Sequence, residues 1–386
     1  MTNACDIAII GGGPVGLALA LALRGNGLDV RVLEARGVEA AAADPRALAL
    51  AYGSRLLLDR LGVWRNVSSV ANIRTIHISQ KHSFGRSLLR AEEQHVPELG
   101  YVLPYPVLHS AMQRALQAES DISYLTGAQV ESLAPGSKAA EIVYRHGDTT
   151  HTLHARLAVV ADGGRLLETS HPPELHDYGQ SAVIAHVTCA HPQPDTAFER
   201  FTAQGPVALL PYRGGYELVW TAPHETAQEM VNWEVAHFLN GLHDHFGDRV
   251  GRFTSVGTRS CYPLRLKRAT QLTLPHTALI GNAAQTLHPV AGQGFNIGLR
   301  DAWELAQTIL DHAPDDIGSE RMLTAYCQSR APDRTAGIRF TDGLVRLFSN
   351  GLPVIGEVRA LSLSALDSLP PLKRFVAKRM MFGANG

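Results

Sequence analysis

The stretch Asp6-Ile7-Ala8-Ile9-Ile10-Gly11-Gly12-Gly13-Pro14-Val15-Gly16 decides the fold. Its apolar run predicts a buried strand, and Gly11 to Gly16 fits G-x-G-x-x-G immediately after it. Leu17 to Arg24 continues as an apolar helix that ends at Gly25 to Gly27. In such a turn Gly11 permits the bend, Gly13 lets a pyrophosphate approach the backbone, and Gly16 lets helix and strand pack closely. Asp29 to Leu33 predicts the second strand, and Glu34 ends it eighteen residues beyond Gly16. A carboxylate there accepts hydrogen bonds from the ribose of an adenine dinucleotide. The combination predicts a Rossmann-like α/β domain holding a dinucleotide.

A second glycine-bearing loop lies far along the chain. Gly281-Asn282-Ala283-Ala284-Gln285-Thr286-Leu287-His288-Pro289-Val290-Ala291-Gly292-Gln293-Gly294-Phe295-Asn296 follows a short apolar strand, Thr277 to Ile280. It leads into a helix over Ile297 to Leu310 with Asp301 and Glu304 in its opening turns. Free N–H groups at such a helix start, with the positive end of its dipole, favour an electron-rich group. Gly292 and Gly294 let the backbone come close to a flat ligand.

Between these loops, Arg46 precedes a helix from about Tyr52 to Leu61 and is a candidate anion clamp. Leu157 to Ala161 predicts another buried strand, and Asp162-Gly163-Gly164 at its carboxyl edge sits where α/β sheets bind ligands. The patterns divide the chain into four parts. Residues 1–176 form the nucleotide domain, with a small antiparallel insert at about 70–100, and 177–266 form a sheet-rich substrate domain. Residues 267–318 return to the first domain, and 319–386 are helices broken at Pro332, Pro353, Pro370 and Pro371. One helix, about Glu225 to Phe246, interrupts the second domain, and others are expected at about 319–349, 353–366 and 371–381.

Composition narrows the function classes. The chain has 386 residues, is 45% hydrophobic and 18% charged, and carries a formal net charge of −1. With no long run of one sign, a nucleic-acid partner is not expected. Cys5, Cys189, Cys261 and Cys327 lack metal-ligand spacing, no His/Glu spacing suggests a metal, and the reading is cytoplasmic. No segment reaches the apolar length that spans a bilayer.

Gly11–Gly16 with Glu34, Ala161-Asp162-Gly163 and Gly281–Asn296, in this order, resemble the class A flavoprotein aromatic hydroxylases. Residues 281–301 and the tail from Ser362 to Met381 resemble in particular the ubiquinone-biosynthesis hydroxylases of UbiH/UbiF type. The resemblance implies a Rossmann-like FAD-binding domain of the glutathione-reductase/aromatic-hydroxylase type with a sheet-rich substrate domain and C-terminal helices. It puts the FAD pyrophosphate on Gly11, Gly13 and Gly16, beside Pro14 and Val15, and the adenosine ribose on Glu34. Arg36, Arg46, Val130 and Asp162 are further cofactor contacts. The ribityl chain falls to Gly281 and Asn282, where most members carry Gly-Asp. The isoalloxazine falls to Pro289, Gly292, Gln293, Gly294, Phe295 and Asn296. Pro104-Tyr105-Pro106-Val107-Leu108 lacks the arginine or glutamine that many members place near the flavin, so no contact is expected from that element. Arg165 stands in for the arginine that usually follows the Asp-Gly pair.

The implied activity is hydroxylation of an aromatic ring, a polyprenylated phenol of ubiquinone biosynthesis, by FAD, NAD(P)H and O2 through a flavin C4a-hydroperoxide. The absence of a second G-x-G-x-x-G implies that the nicotinamide cofactor docks transiently. No side-chain acid or base is assignable, and His288 is the histidine to test first. Rival readings are another flavoenzyme on the same fold, such as an oxidase, dehydrogenase or halogenase, and a flavin-bearing scaffold subunit of a biosynthetic assembly. A prenylated phenol must come from the bilayer or a carrier, which implies peripheral contact with the inner face of the cell membrane or partner proteins of a quinone-biosynthesis assembly. In the last helix, Leu372, Phe375, Val376 and Met380 form one apolar stripe, with Lys373, Arg374 and Lys378 off it. That stripe either lies in the lipid interface or packs on the protein's own body.

Overall fold

A computed structural model describes residues 3–37, 44–81, 85–117, 119, 121–202, 204–288, 292–348, 363 and 365–385. Its first layer is a sheet ordered Thr273–Leu274, Thr277–Leu279, Thr149–Val160, Ala4–Ile10, Val30–Glu34, Ile122–Thr126. From Thr277–Leu279 onward these strands are parallel. Burial on both faces explains their near-continuous apolar runs. Thr149–Val160 is one strand where the sequence suggests two, because its halves have different neighbours. Its first half pairs antiparallel with Ala140–His146, and Ala158 to Val160 pair with Thr277–Leu279. The helix Pro14–Leu23 is apolar on every side because it lies between this sheet and other helices, with Leu17, Leu19, Leu21 and Leu23 at most 1% exposed. Burying each leucine contributes about 1.5–3 kcal/mol.

The second layer is a nine-stranded sheet ordered Gln285–Thr286, Ser260–Arg268, Glu174–Cys189, Gly215–Pro223, Val207–Tyr212, Thr196–Phe201, Thr75–Gln80, Arg86–Arg90, with Phe253–Val256 also on Glu174–Cys189. Thr75–Gln80 and Arg86–Arg90, expected inside an insert of the first domain, are instead hydrogen-bonded into this sheet. Thr75–Gln80 runs parallel to Thr196–Phe201. One face of the sheet is covered by two helices, His224–Asn232 and Val235–Phe246. These replace the single helix expected over 225–246, which is divided at Trp233 and Glu234. A third, three-stranded sheet, ordered Ala47–Ala51, Gly100–Pro104, Ala71–Ile73, joins the layers.

Pro332 does not break its helix, which runs from Glu320 to Phe348. Ion pairs clamp the helix on either side of the proline. Buried Arg330 bridges Asp301 and Asp333 at 2.7 and 2.9 Å, and Arg300 also pairs with Asp333. The expected helix over 353–366 lies largely outside the described residues. The last helix, Pro370–Phe382, packs on the body through Lys373, Ala377 and Met381. Its orientation differs from the stripe reading because Lys373 turns inward, reaching Glu93 at 2.8 Å and Asp367 at 3.4 Å. Leu372 and Phe375 are left outside. Among the described residues no helix is long and apolar enough to cross a membrane.

Candidate functional site

The carboxyl ends of the parallel strands open onto a cavity of about 980 Å³. Ile10 hands the chain to Gly11, whose φ of +114° suits glycine and whose absent Cβ would stand 2.6 Å from the Ala161 carbonyl. Gly11, Gly13, Pro14 and Val15 line the cavity. Gly16 does not: a Cβ there would meet the Gly11 carbonyl at 2.1 Å, so its part is to let helix and turn close. No side chain caps the N-terminus of Pro14–Leu23, which leaves first-turn N–H groups for an anion.

Glu34 lies at the edge of the same cavity, 7% exposed. One carboxylate oxygen accepts the Gly12 N–H at 2.6 Å, and the other accepts the N–H and Nε–H of Arg36 at 2.9 and 3.0 Å. Arg46 donates to Asp44 and stacks over Tyr105 at 5.3 Å. Asp162 holds its own loop, accepting the N–H groups of Gly164 at 2.7 Å and Leu166 at 2.9 Å. Arg36, Arg46, Val130, Asp162 and Arg165 all line the cavity. So does Tyr105, on the element from which no contact was expected. The helix Tyr105–Gln117 begins at this residue, which brings its ring to the cavity wall.

The far loop closes the other end. Gly281, Asn282, Gly292, Gly294 and Phe295 line the cavity. The Gly281 N–H is held by buried Asp301 at 3.0 Å, which ties the loop to Arg330. Gly292, at φ +60°, is the uncapped N-cap of the helix Gln293–Leu310. Pro289 lies outside the described residues. Of the residues that the resemblance assigns to the isoalloxazine, Gln293 and Asn296 line a neighbouring cavity that adjoins the first. The Asn296 side chain is consumed by the fold, bonding Ala51, Ser54, Ala49 and Gly292. His288 is 1% exposed, meets the Tyr178 ring edge-on and lines neither cavity. Burial lowers it to about 4, so it is neutral at pH 7.

An elongated nucleotide cofactor fits these residues. Two helix N-termini without side-chain caps face the cavity. Among the described residues, the nearest atom to a Cβ added at Gly13 is 3.9 Å away, and none lies within 4 Å of one added at Gly294. The backbone there faces open space that side chains would fill.

The neighbouring cavity, about 280 Å³, is apolar and shares Ala49 and Gly292 with the first. Its floor is the uncovered face of the second sheet, with Ile76, Ile78, Ala208, Leu210 and Val219. Its far wall is the last helix, with Val376, Ala377, Met380 and Met381. The sequence reading did not find this cavity, because its walls come from segments far apart in the chain.

A family model described as an FAD binding domain matches residues 4–341. The ubiquinone hydroxylase UbiL of Rhodospirillum rubrum is 32% identical, over 97% of this chain and 89% of that protein. The 3-demethoxyubiquinol 3-hydroxylase of Escherichia coli is 30% identical, over 98% of this chain and 99% of that protein. Among solved structures, p-nitrophenol 4-monooxygenase PnpA from Pseudomonas putida has a TM-score of 0.81 at 16% identity, covering 98% of this chain and 99% of that one.

Proposed function

Because this chain belongs to the FAD binding domain family of flavoprotein monooxygenases, we propose that it hydroxylates the ring of a polyprenylated phenol in ubiquinone biosynthesis. The observation that carries this reading is the junction of the two cavities. The cavity of about 980 Å³, onto which two helix N-termini open, meets the apolar one at Ala49 and Gly292, beside the start of the Gln293–Leu310 helix. The names of the two ubiquinone-pathway relatives support the substrate class.

On this reading Gly11, Gly13 and the start of Pro14–Leu23 hold the pyrophosphate of FAD, and Glu34 with Arg36 holds the adenosine end. Asn282, an exposed amide on the cavity wall, hydrogen-bonds the ribityl chain. Gly292, Gly294 and Phe295 flank the ring system, where the helix N-terminus stabilises negative charge. Bound FAD supplies the two-electron and O2 chemistry, and the chain supplies orientation and a dry pocket. The apolar cavity takes the substrate ring, and NAD(P)H reaches the site transiently.

The last helix adds a route for the prenyl tail. Its inner side forms the wall of the apolar cavity, while Leu369, Leu372 and Phe375 are 51%, 44% and 60% exposed on its outer side, beside Arg374 and Lys378. Such a surface suits an anionic lipid interface. Purified protein loaded with FAD, given NAD(P)H, O2 and a panel of prenylated phenols, should yield product one oxygen atom heavier by mass spectrometry. NAD(P)H should be consumed one for one. Oxidation of NAD(P)H with no ring product from any phenol would overturn the reading.

A further inference from the structure

One ionisable side chain sits among the apolar walls of the smaller cavity. The strand Thr196–Phe201, which the sequence reading passed over, turns Ala197, Glu199 and Phe201 to the cavity by its period of two. Register fixes the placement: Glu199 pairs with Ile78 on one side and Ala208 on the other, and Ala208 pairs with Val219. All four line the cavity, and among its described lining residues Glu199 alone is ionisable. The Glu199 side chain is half-buried, and no hydrogen bond or ion pair reaches its carboxyl from the described residues.

Among the described residues no charge opposes or supports it from the elements around it. Arg200 faces the other side of the sheet, near Ser79, where Arg249 also donates. His77 on the adjoining strand lies tilted against the Phe198 ring, centroids 5.6 Å apart. Across the cavity, Lys373 is paired with Glu93 and Asp367, and Arg379 lies over Phe375. Burial alone pushes the Glu199 carboxyl up to about 8. An unpartnered carboxyl in an apolar pocket is costly to fold, and such a group is expected where chemistry uses it.

We propose that Glu199 is the catalytic base that takes the phenolic proton of the substrate during hydroxylation. The inference deepens the reading above and rests on it. The phenol O–H bond breaks, its proton goes to a Glu199 carboxylate oxygen, and the electron pair stays on the phenolate oxygen. That electron density makes the ortho and para carbons better nucleophiles for the oxygen atom, which comes from O2 with NAD(P)H as reductant. When the hydroxylated carbon sheds its proton to water to restore the ring, the ring oxygen becomes a phenolate and Glu199 returns its own proton to it, while the second oxygen atom of O2 leaves as water. A carboxylate of raised basicity is closer to a phenol in proton affinity than an ordinary one, which is what an efficient base needs.

The test compares wild type with Glu199→Gln, both loaded with FAD, using a short-chain 2-prenylphenol and a fluorinated series of it. Glu199→Gln should keep FAD and bind the phenol within a few-fold, read by perturbation of the flavin spectrum. Ring hydroxylation should fall roughly 100-fold or more, with NAD(P)H diverted to hydrogen peroxide. Wild-type kcat/KM should rise with pH through the Glu199 ionisation, and the variant should lack that rise. The deficit should shrink as fluorination makes the phenol more acidic. Unchanged rate and pH profile, loss of phenol or FAD binding, or an equal deficit across the series would each overturn the base role. Failure of wild type to hydroxylate any phenol is read separately and removes the parent proposal, and this inference with it.

Discussion

The side-chain oxygen of Asn296 accepts the backbone N–H of Ala51 at 2.8 Å, joining residues 245 apart in the chain. The same oxygen accepts Ser54 Oγ–H at 2.7 Å, and the amide nitrogen donates to the carbonyls of Ala49 and Gly292. One buried carboxamide therefore pins the start of the far helix to the strand that walls both cavities. Asn296→Ala leaves these groups without their partner, so chemical denaturation should show a loss of about 2–4 kcal/mol. FAD should also bind more weakly. A variant as stable as wild type would show that water replaces the clamp.

Glu34 shapes the first glycine turn through Gly12 and lies at the cavity wall. Glu34→Ala should weaken FAD binding by about 1–3 kcal/mol, the scale of charge-assisted hydrogen bonds. Fluorescence titration of the apoprotein measures it. Unchanged affinity would put the adenosine elsewhere.

Gly294 lines the cavity without a positive φ, and no described residue comes within 4 Å of an added Cβ. Gly294→Val should therefore fold, with a circular dichroism spectrum like wild type, yet fill the space claimed for the isoalloxazine. Loss of bound FAD and of hydroxylation is expected. Normal FAD content with coupled turnover would show that the ring system lies elsewhere.

Deleting residues 371–386 is a poor test of lipid contact. It removes the cavity wall at Met380 and Met381, the buried Lys373, and the Ala384 N–H bonded to Asp333 at 2.9 Å. Leu372→Asp with Phe375→Asp changes only exposed positions. Stability should hold within about 0.5 kcal/mol, while sedimentation with anionic liposomes should fall at least several-fold. Full binding by the double variant would assign lipid contact to another surface.

His77, His245 and His288 are each lowered by burial from 6.5 to about 4. Unfolding below pH 6.5 lets each take up a proton that the folded form refuses until about pH 4. Stability should therefore fall with acid by about 1.4 kcal/mol per pH unit per histidine in that window. Glu199, raised from 4.5 to about 8, has the opposite sign. Folded protein holds its proton where the unfolded chain has lost it, so it offsets one histidine between pH 4.5 and 6.5. Denaturation midpoints across pH 4.5–6.5 should drop towards acid in wild type, and the slope should reverse in a His77→Gln, His245→Gln, His288→Gln variant that still folds, because Glu199 alone then remains.

The sequence by itself determined the parts whose chemistry is local. Gly11, Gly13 and Glu34 lie within one strand-turn-helix-strand unit, where spacing along the chain already sets spacing in space. The loop from Gly281 to Phe295 is legible for the same reason, since strand, glycines and helix start follow one another. Only the tertiary structure decided the rest. Glu199 reaches a cavity because Thr196–Phe201 pairs with Thr75–Gln80, and a shift of one residue would turn it to the other face. Lys373 turns inward because Glu93 and Asp367 wait for it, which splits the expected stripe: Leu372 and Phe375 meet solvent while Val376 and Met380 meet the cavity. Asn296, although it stands in the second glycine-bearing loop, spends polar atoms on a strand 245 residues away. Spacing along the chain specifies which residues share a face, but partners distant in sequence fix what that face meets.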